Sequence, residues 1–521
     1  MSRSLRLDRR RFLGSTAAAG ALVSAPAFLS MPAIAQSGRP GVSHGLQSGD
    51  VGMHDAVVWA RADRPASMLV EWATTDSFRD STVLSGPDVI DATDFTGKLR
   101  LTGLPAGQDI FYRVHFRDLA DVNVEGEAVV GRLRTAPAAK RDIAFTWSGD
   151  TCGQGWGINL DWGGMRGYRA MLDTNPDFFI HSGDTVYCDN PLQEAVELAD
   201  GSIWRNLMTE EKSKVAETLA EFRGNFKYNL LDENLRAFNA AVPMFAQWDD
   251  HEVTNNWFPG RMLDSDDRYT VKSASLLAAR AARAFHEYVP IRPNADEPAR
   301  VYRKIAYGPS LDIFMIDLRS YRGVNGDGME AQLTPEARVL GQEQMRWLKQ
   351  ELLASNATWK VIASDMPIGL IVWANFATQS GVEAVANGDD GPAAGRELEF
   401  ADLLRFIHHN DIANTVWLTA DVHYTAAHHY SPERAQFQDF APFWEFVSGP
   451  IHAGTFGPNA LDMTFGPEVR FQAVPDGVNL PPSAGLQFFG HVAIDGDSEV
   501  MTVSLMNIAG ETLWSTDLDP A

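Results

Sequence analysis

The sequence predicts an α/β core preceded by an all-β module, and two observations support this division. Residues 41–135 contain only short β-rich segments separated by Gly, Pro and Asp turns, whereas from residue 143 onward apolar strands alternate with helical patterns. A chain of 521 residues is also longer than one typical hydrophobic core requires, so two domains are expected.

Residues 1–35 are predicted to be an export signal and not part of the fold. Arg9-Arg10-Arg11-Phe12-Leu13 is a twin-arginine pattern, an apolar stretch follows at 17–29, and Ala33-Ile34-Ala35 is typical of a cleavage site. A membrane anchor is the alternative, but the apolar stretch is short for a span of about 20 residues. We therefore expect export by the twin-arginine machinery, a periplasmic or secreted location, and no stable membrane span in the mature chain.

The composition is acidic, with 44 Lys and Arg residues against 68 Asp and Glu residues and a formal net charge of −24. We expect no nucleic-acid-binding surface, because such a surface needs a basic face. An anionic substrate would have to be attracted by local cations, since the overall field repels it. The excess of carboxylates is either a solvated surface or a supply of ligands for hard cations.

The module at 41–135 is predicted to be a β-sandwich without chemistry of its own. Its strands are predicted at 56–60, 68–72, 98–101 and 110–114. The corner at 104–108, followed by Phe111-Tyr112, resembles the corner before a late strand of a fibronectin-type sandwich. Residues 135–140 are predicted to be a linker to the second domain, which spans 141–515.

The second domain is predicted from apolar strands that alternate with helices. Strands are predicted at 143–147, 178–180, 242–248, 311–316, 359–364 and 415–419, with a closing hairpin at 490–494 and 500–505. Helices are predicted at 167–173, 210–222, 230–240 and 274–288. This order of elements is typical of an α/β core.

Five of the predicted strands end in residues that can bind a metal ion or a phosphate group. These residues are Cys152, Asp184 with Tyr187, Asp250 with His251, Arg319, and Asp421 with His423. In open α/β sheets ligands bind at the carboxyl ends of the strands, so we expect these side chains to converge. Cys, His and phenolate suit a transition metal, whereas carboxylates suit Ca²⁺ or Mg²⁺. Asp184 is the best-placed candidate for a carboxylate that bridges two cations.

Each of these assignments has a structural alternative. Cys152 could form a disulfide with Cys188, the only other cysteine. Tyr187 could cap the sheet with its ring. Arg319 could form a structural salt bridge instead of a bidentate clamp on phosphate. The Asp389-Asp390-Gly391 loop within residues 374–396 is predicted to be a flexible cover over the site, with no chemistry of its own.

Several motifs, taken in order, resemble the PhoD-type alkaline phosphatase/phosphodiesterase family. They are Cys152-Gly-Gln, Gly183-Asp184-x-x-Tyr187, Trp248-Asp249-Asp250-His251-Glu252-x-x-Asn255-Asn256, Asp317-x-Arg319-x-x-Arg322, Ala420-Asp421-Val422-His423-Tyr424 and Phe446-Val447-Ser448-Gly449-Pro450. That family is related to the purple acid phosphatases and the calcineurin-like metallophosphoesterases. The resemblance therefore implies a metallophosphoesterase-type αββα layered core with an N-terminal fibronectin-like β-sandwich.

The resemblance also implies a site built from Fe(III) and Ca²⁺ ions. By the family pattern, the iron ligands would be Cys152, Asp184, Tyr187 and His423. The calcium-facing carboxylates would be Asp184, Asp250 and Asp421, and Asn255 and Asp249 are candidates for further ligands. Two positions depart from the family pattern. Asp150 is an extra carboxylate that could replace Cys152, and Ala420 stands where glycine is usual.

The implied activity is that of an exported alkaline phosphatase acting on small phosphoester substrates. A metal-bound hydroxide would attack phosphorus, Arg319 would help to neutralise the phosphoryl oxygens, and His251 would assist the departing alcohol. No Gly-x-Ser-x-Gly elbow is present, which disfavours acyl chemistry. The alternatives are a phosphodiesterase or phospholipase-D-like activity at the same site, and a non-catalytic exported binding protein.

Overall fold

The N-terminal module is a two-sheet β-sandwich in the computed structural model of this chain, which describes residues 38–521. Its strands are β1 (Val42–Gly49), β2 (Asp55–Ala62), β3 (Ala66–Ala73), β4 (Thr82–Val89), β5 (Thr96–Thr102), β6 (Asp109–Asp118) and β7 (Val129–Arg134). Alternate residues of β6 are buried, as expected for a strand with one face on a core. One sheet has the order β4-β3-β6-β7, and β1, β2 and β5 lie in the other. The predicted export signal at 1–35 lies outside the described residues.

The remaining strands form two large sheets and two short hairpins. They are β8 (Ile143–Ser148), β9 (Phe178–Ser182), β10 (Ala195–Glu197), β11 (Ile203–Arg205), β12 (Met244–Gln247), β13 (Arg303–Ala306), β14 (Leu311–Met315), β15 (Trp359–Ala363), β16 (Trp373–Asn375), β17 (Ser380–Val382), β18 (Thr415–Thr419), β19 (Thr425–Tyr430), β20 (Phe443–Val447), β21 (Pro467–Ala473), β22 (Phe488–Ile494), β23 (Met501–Asn507) and β24 (Thr512–Leu518). The α-helices are α1 (Arg166–Asp173), α2 (Leu219–Asn229), α3 (Glu233–Ala241), α4 (Ala274–Tyr288), α5 (Gln342–Ala354) and α6 (Glu397–His409).

One sheet runs through both predicted domains. Its order is β24-β23-β22-β8-β9-β12-β1-β2-β5, because β1 pairs in parallel with β12 through Gly49 and Met244. The close approach requires a glycine: a Cβ on Gly49 would lie 2.5 Å from the carbonyl oxygen of Met244. Residues 39–521 accordingly form one compact unit. The division into domains at 41–135 and 141–515 stays a prediction.

The second sheet has the order β13-β14-β15-β18-β20-β19-β21, with parallel pairing from β14 to β20. It packs on the first sheet through one shared apolar cluster, to which Phe178 contributes from β9 and Met315 from β14. Their neighbours Phe179 and Phe314 face outward into two further clusters, which also contain residues of α1–α4 and of α5–α6 respectively. The central strands are therefore buried on both faces, which explains their continuous apolar runs and gives an αββα arrangement.

The predicted helix at 210–222 is wrong in its position. Only a 3₁₀ turn occurs at Glu211–Ser213, and α2 begins at Leu219. The start is fixed by a capping box, in which Thr218 and Glu221 each bond the other's backbone N–H. Helices α5 and α6 were not predicted. Among residues 38–521, no helix has both the length and the apolar character needed to cross a bilayer.

A buried histidine on β9 makes the stability of the fold sensitive to acid. The Nε2 atom of His181 lies 2.9 Å from the hydroxyl of Thr151, and its Nδ1 atom has no partner. Burial lowers the pKa of His181 to about 3. His181 therefore takes up a proton near pH 6.5 in the unfolded chain but not in the folded chain, so its contribution to the free energy of unfolding falls as the pH drops from about 6.5 toward 3.

We expect the wild-type protein to lose about 2–3 kcal/mol more unfolding free energy than His181→Gln between pH 7 and pH 4.5. Urea unfolding of both proteins at the two pH values measures this difference. His408→Gln, at an exposed position on α6, is the control and should leave the pH dependence unchanged. Equal pH dependence in wild type and His181→Gln would contradict the account.

Candidate metal centre

The turns after the parallel strands have unusual backbone conformations. Asp150 and Cys152 after β8, Asp184 after β9, and Asp421 and His423 after β18 have φ angles between 51° and 69°. L-residues rarely adopt this left-handed region, and residues held there cluster at functional sites. Ala420, where the family pattern has glycine, is accommodated because Gly149 opposite lacks a Cβ, which would lie 2.8 Å from that of Ala420.

A first group of possible metal ligands consists of Asp150, Asp184 and His423, whose ligand atoms lie within 4.8 Å of one another. The Nδ1 atom of His423 bonds the carbonyl oxygen of Gly454, which can only accept, so Nδ1 carries the proton. The Nε2 lone pair then faces the group, 3.3 Å from an Asp150 carboxylate oxygen and 3.1 Å from the Tyr187 hydroxyl. The Tyr187 hydroxyl is thus a fourth possible donor, beside the three side chains of the group.

The Asp150 carboxylate shows that this group suits a cation. Its Oδ2 atom is buried and has no hydrogen-bond partner. The carboxylate also occupies the space that a side chain at Gly449 would need, because a Cβ there would lie 2.4 Å from Oδ2. A buried carboxylate oxygen without a partner costs free energy that a bound cation would recover.

A second group consists of Asp184, Asp250 and His251, again with ligand atoms within 4.8 Å of one another. Asp184 belongs to both groups, which is the position that a bridging carboxylate must occupy. Its Oδ1 atom accepts from the backbone N–H of His251 at 3.0 Å. Burial, together with the negative charges of Asp250 and Asp249, raises the pKa of Asp184 well above its ordinary value. Cations bound between these carboxylates would relieve that repulsion.

Asp421 and Asn255 lie on the wall of a cleft of about 600 Å³ that opens above both groups. Burial and the charges of Asp249, Asp250 and Asp150 raise the pKa of Asp421. Asp421 lies outside the two close groups of Asp and His ligand atoms. The assignment of Asp421 and Asn255 as ligands stays a prediction.

The Tyr187 ring lies flat between two parts of the site. It stacks on the His251 imidazole with ring centroids 4.3 Å apart, and a Cβ on Gly153 would lie 2.4 Å from it. Its hydroxyl faces the first ligand group through His423. The tyrosine therefore contacts both the possible metal ligands and the predicted catalytic histidine.

Asp189 is a further residue of the site, outside the set predicted from sequence. Its Oδ1 atom lies 2.7 Å from Nδ1 of His251, and its Oδ2 atom accepts from the backbone N–H of Asn255. Burial disfavours the charged form of His251, but the charges of Asp189 and Asp250 outweigh it and raise the pKa to about 9. No motif marks Asp189, whose only signal is its position two residues after Tyr187.

Cys152 is not brought together with the other predicted ligands, and this part of the family pattern is wrong here. Its backbone N–H donates to the carbonyl oxygen of His452, and its thiol lies in the apolar cluster beneath α2, near Tyr228 and Lys212. Burial raises the pKa of the thiol to about 12. Asp150 supplies the strand-end donor instead. The disulfide alternative is also wrong, because Cys152 and Cys188 are both free.

Arg319 is fully buried and does not reach the cleft, so the prediction that it clamps phosphate is wrong. Its guanidinium donates to Asp249 at 2.5 Å and to Glu383. Burial works against the charged form of Asp249, but its ion pair with Arg319 lowers the pKa of that carboxyl. The alternative role, a structural salt bridge, therefore applies, and Asp249 is its partner.

The segment at 374–396 covers the site in a different way from the one predicted. The β16–β17 hairpin reaches the mouth of the cleft, where Trp373 and Phe376 line it. At the end of the hairpin, Glu383 is paired with Arg319 and Arg322. Residues 389–391 lie elsewhere, bonded to the turn at 463–464.

Known proteins share this fold and these motifs. The family model described as PhoD-like phosphatase matches residues 145–505, and the model of its N-terminal domain matches residues 28–137. The chain is 27% identical over 484 residues to alkaline phosphatase D of Bacillus subtilis (strain 168), a match that covers 86% of this chain and 77% of that protein.

Two solved structures have the same architecture. A structure of PhoD matches with a TM-score of 0.67 at 20% identity, covering 92% of this chain and 89% of the other. Purple acid phosphatase PPD1 from yellow lupin (Lupinus luteus) seeds matches with a TM-score of 0.59 at 12% identity, covering 92% and 74%. These likenesses confirm the predicted fold class.

The layered fold and the carboxylate–histidine centre at its strand ends define a metallophosphoesterase. Because the family model covers well over half of the sequence, the chain belongs to the PhoD-like phosphatase family. The prediction of a phosphoric ester hydrolase is thereby confirmed, and the alternative of a non-catalytic binding protein is not supported.

Because Arg319 is buried with its carboxylate partners, its removal should destabilise the fold. Arg319→Met removes the partner of Asp249 and Glu383 and leaves both carboxylates uncompensated, so the unfolding free energy should fall by about 3–5 kcal/mol. Urea unfolding measures this change. Arg346→Met breaks an exposed pair with Glu343 and should cost at most about 1 kcal/mol. If Arg319→Met had wild-type stability and only a raised KM, Arg319 would bind phosphate as first predicted, and the structural role would be contradicted.

Proposed function

We propose that this chain hydrolyses phosphate esters as a metal-dependent alkaline phosphatase, with Asp184 bridging two cation sites. The observation that carries the proposal is the membership of Asp184 in both close ligand groups. Its raised pKa, caused by burial and by Asp250, supports a site that is complete only with bound cations. Such cations, when bound, act as Lewis acids that activate water and neutralise charge on the phosphoryl group.

The donor sets support different metals at the two groups. Asp150, Asp184, His423 and Tyr187 combine carboxylate, imidazole and phenolate donors, which suit Fe(III). Asp184, Asp250 and the oxygens of Asn255 and Asp421 offer the oxygen ligands that Ca²⁺ takes. We infer that Fe(III) is held by the first set and Ca²⁺ by the second.

His251 is proposed as the acid that protonates the departing alcohol. It lies on the cleft wall beside the two carboxylates of the second group, with its Nε2 atom 3.6 Å from an Asp250 oxygen, and in this role it would be a proton donor and not a metal ligand. The Asp189 carboxylate binds the other ring nitrogen, Nδ1, and stabilises the positive charge of the protonated ring. Stacking on Tyr187 fixes the plane of the imidazole. The orientation of the His251 ring and its raised pKa both support this role.

A phosphodiesterase activity at the same site is a second candidate. In the described part of the chain, no Lys or Arg side chain lines the cleft, whereas Asp184, Asp250 and Asp421 do. A diester carries one negative charge fewer than a monoester and so meets less repulsion from these carboxylates. Rates on matched mono- and diesters separate the two activities.

We also propose export by the twin-arginine route to the periplasm or the medium. The support is the Arg9-Arg10 pattern, the apolar stretch after it and the cleavage-site motif at 33–35. Folding before export would allow the metal centre to be loaded in the cytoplasm.

Asp184→Asn tests the proposed function directly. Without the bridging charge, kcat on para-nitrophenyl phosphate with Ca²⁺ and iron supplied should fall by at least about 1,000-fold. The chelator-treated variant should unfold at a higher temperature than chelator-treated wild type, because one carboxylate charge is gone from a crowded cluster. Both changes together distinguish loss of a metal ligand from loss of folding.

Asp497→Asn is the matched control for Asp184→Asn. Asp497 is exposed in the turn between β22 and β23, at the end of the sheet opposite the site. The Asp497→Asn substitution should leave both the rate and the unfolding temperature unchanged. Unimpaired turnover in Asp184→Asn would refute the bridging role.

Asp189→Asn tests the proposed acid. We expect kcat on glycerol phosphate to fall about 10–100-fold, because an alkoxide needs a proton to leave. On para-nitrophenyl phosphate, whose phenolate leaves without one, the loss should stay below about threefold. His251→Gln should show the same selective loss, and the double variant should be no worse than His251→Gln alone. Equal losses on both esters would contradict the role of the Asp189–His251 pair.

A further inference from the structure

The mouth of the cleft carries two exposed apolar side chains that the proposed chemistry does not use. Phe376, at the tip of the β16–β17 hairpin, is 79% exposed, and Val478 is 64% exposed. Both line the cleft that leads to the ligand groups. An apolar side chain this exposed loses free energy to water, which it regains when an apolar group covers it.

The apolar surface is continuous with the metal centre. The ring of Phe456 packs edge-on against His423, with centroids 5.1 Å apart, and also lines the cleft. A substrate bound by its phosphoryl group at the ligand groups would therefore place its organic group along Phe456 and toward Phe376. The exposed patch lies on the path of the substrate and not on a separate face.

The hairpin that carries Phe376 is fixed to the site. Asn256 donates its backbone N–H to Asp250 at 2.5 Å and its side-chain amide to the carbonyl oxygen of Ala374 at 3.0 Å. Trp373 packs against Gly388, where a Cβ would lie 2.8 Å from the indole. These contacts hold the wall in place before substrate binds, which favours affinity because little ordering remains to be done.

The charge on the cleft wall disfavours a charged organic group. Its only charged side chains apart from the histidines are Asp184, Asp250 and Asp421, and no described Lys or Arg lines it. An anionic organic group would be repelled, and a polyol would leave the apolar wall exposed to water. An aryl or alkyl group is not repelled by the carboxylates, and it covers the apolar wall.

We propose that Phe376 and Val478 are specificity-determining residues that bind an apolar aryl or alkyl group of the phosphoester. This inference rests on the proposed function, because it assumes that the phosphoryl group binds at the ligand groups. It adds the class of alcohol that the site prefers: alkyl or aryl esters over esters of polyols.

The test compares hexyl phosphate with glycerol 3-phosphate, since both release an alkyl alcohol and differ in the polarity of the organic group. Wild-type enzyme should have the higher kcat/KM on hexyl phosphate. Phe376→Ser should lower the hexyl-to-glycerol ratio of kcat/KM at least about tenfold, and Val478→Ser about threefold. Val122→Ser is the matched control, because Val122 is 65% exposed but lies in the sandwich; it should leave the ratio unchanged.

Calorimetry gives a readout that does not depend on turnover. Hexylphosphonate should bind the metal-loaded wild type more tightly than methylphosphonate does, and Phe376→Ser should remove most of that difference. A wild-type enzyme that cleaves both esters with equal kcat/KM, or a Phe376→Ser variant that keeps the wild-type ratio, would overturn the inference. A wild type that cleaves neither ester would instead overturn the proposed function.

Discussion

The structure depends on the crowding of carboxylates at the carboxyl ends of the parallel strands. Asp150, Asp184, Asp250 and Asp421 meet there in a largely buried space, and each would repel the others if nothing compensated their charge. Compensation comes from two sides. Below the cleft, Arg319 neutralises Asp249 and Glu383. On the cleft side the protonated ring of His251 lies beside Asp250, and bound cations would supply the remaining positive charge.

This constraint explains features of the fold that packing alone does not. The left-handed turns after β8, β9 and β18 aim their carboxylates and imidazole inward, against the ordinary preference of the backbone. Glycines lie where these turns approach one another, and the central strands that carry the turns are buried on both faces. The fold is retained in a purple acid phosphatase at 12% identity, as expected when architecture positions a centre and the surrounding loops vary.

Much of this could be predicted from sequence, because continuous apolar runs identify strands buried on both faces and the residues after them identify the site. What could not be predicted depends on side-chain direction. Cys152 follows the correct strand, yet its backbone bond to His452 turns the thiol into the core. The position of Arg319 after a strand predicts a phosphate clamp, but in the structure its guanidinium pairs with Glu383, 64 positions later in the chain. Asp189 pairs with His251, and no local sequence pattern predicts such a pairing.

Cations are expected to bind where Asp184 joins the two ligand groups. A crystal structure of the metal-loaded protein, with anomalous maps at the iron edge and at a wavelength sensitive to calcium, is the decisive measurement. We expect peaks between Asp150, Asp184 and His423 and beside Asp250. Peaks only at the exposed His408, His409 and Asp439 cluster, with none at Asp184, would contradict this expectation.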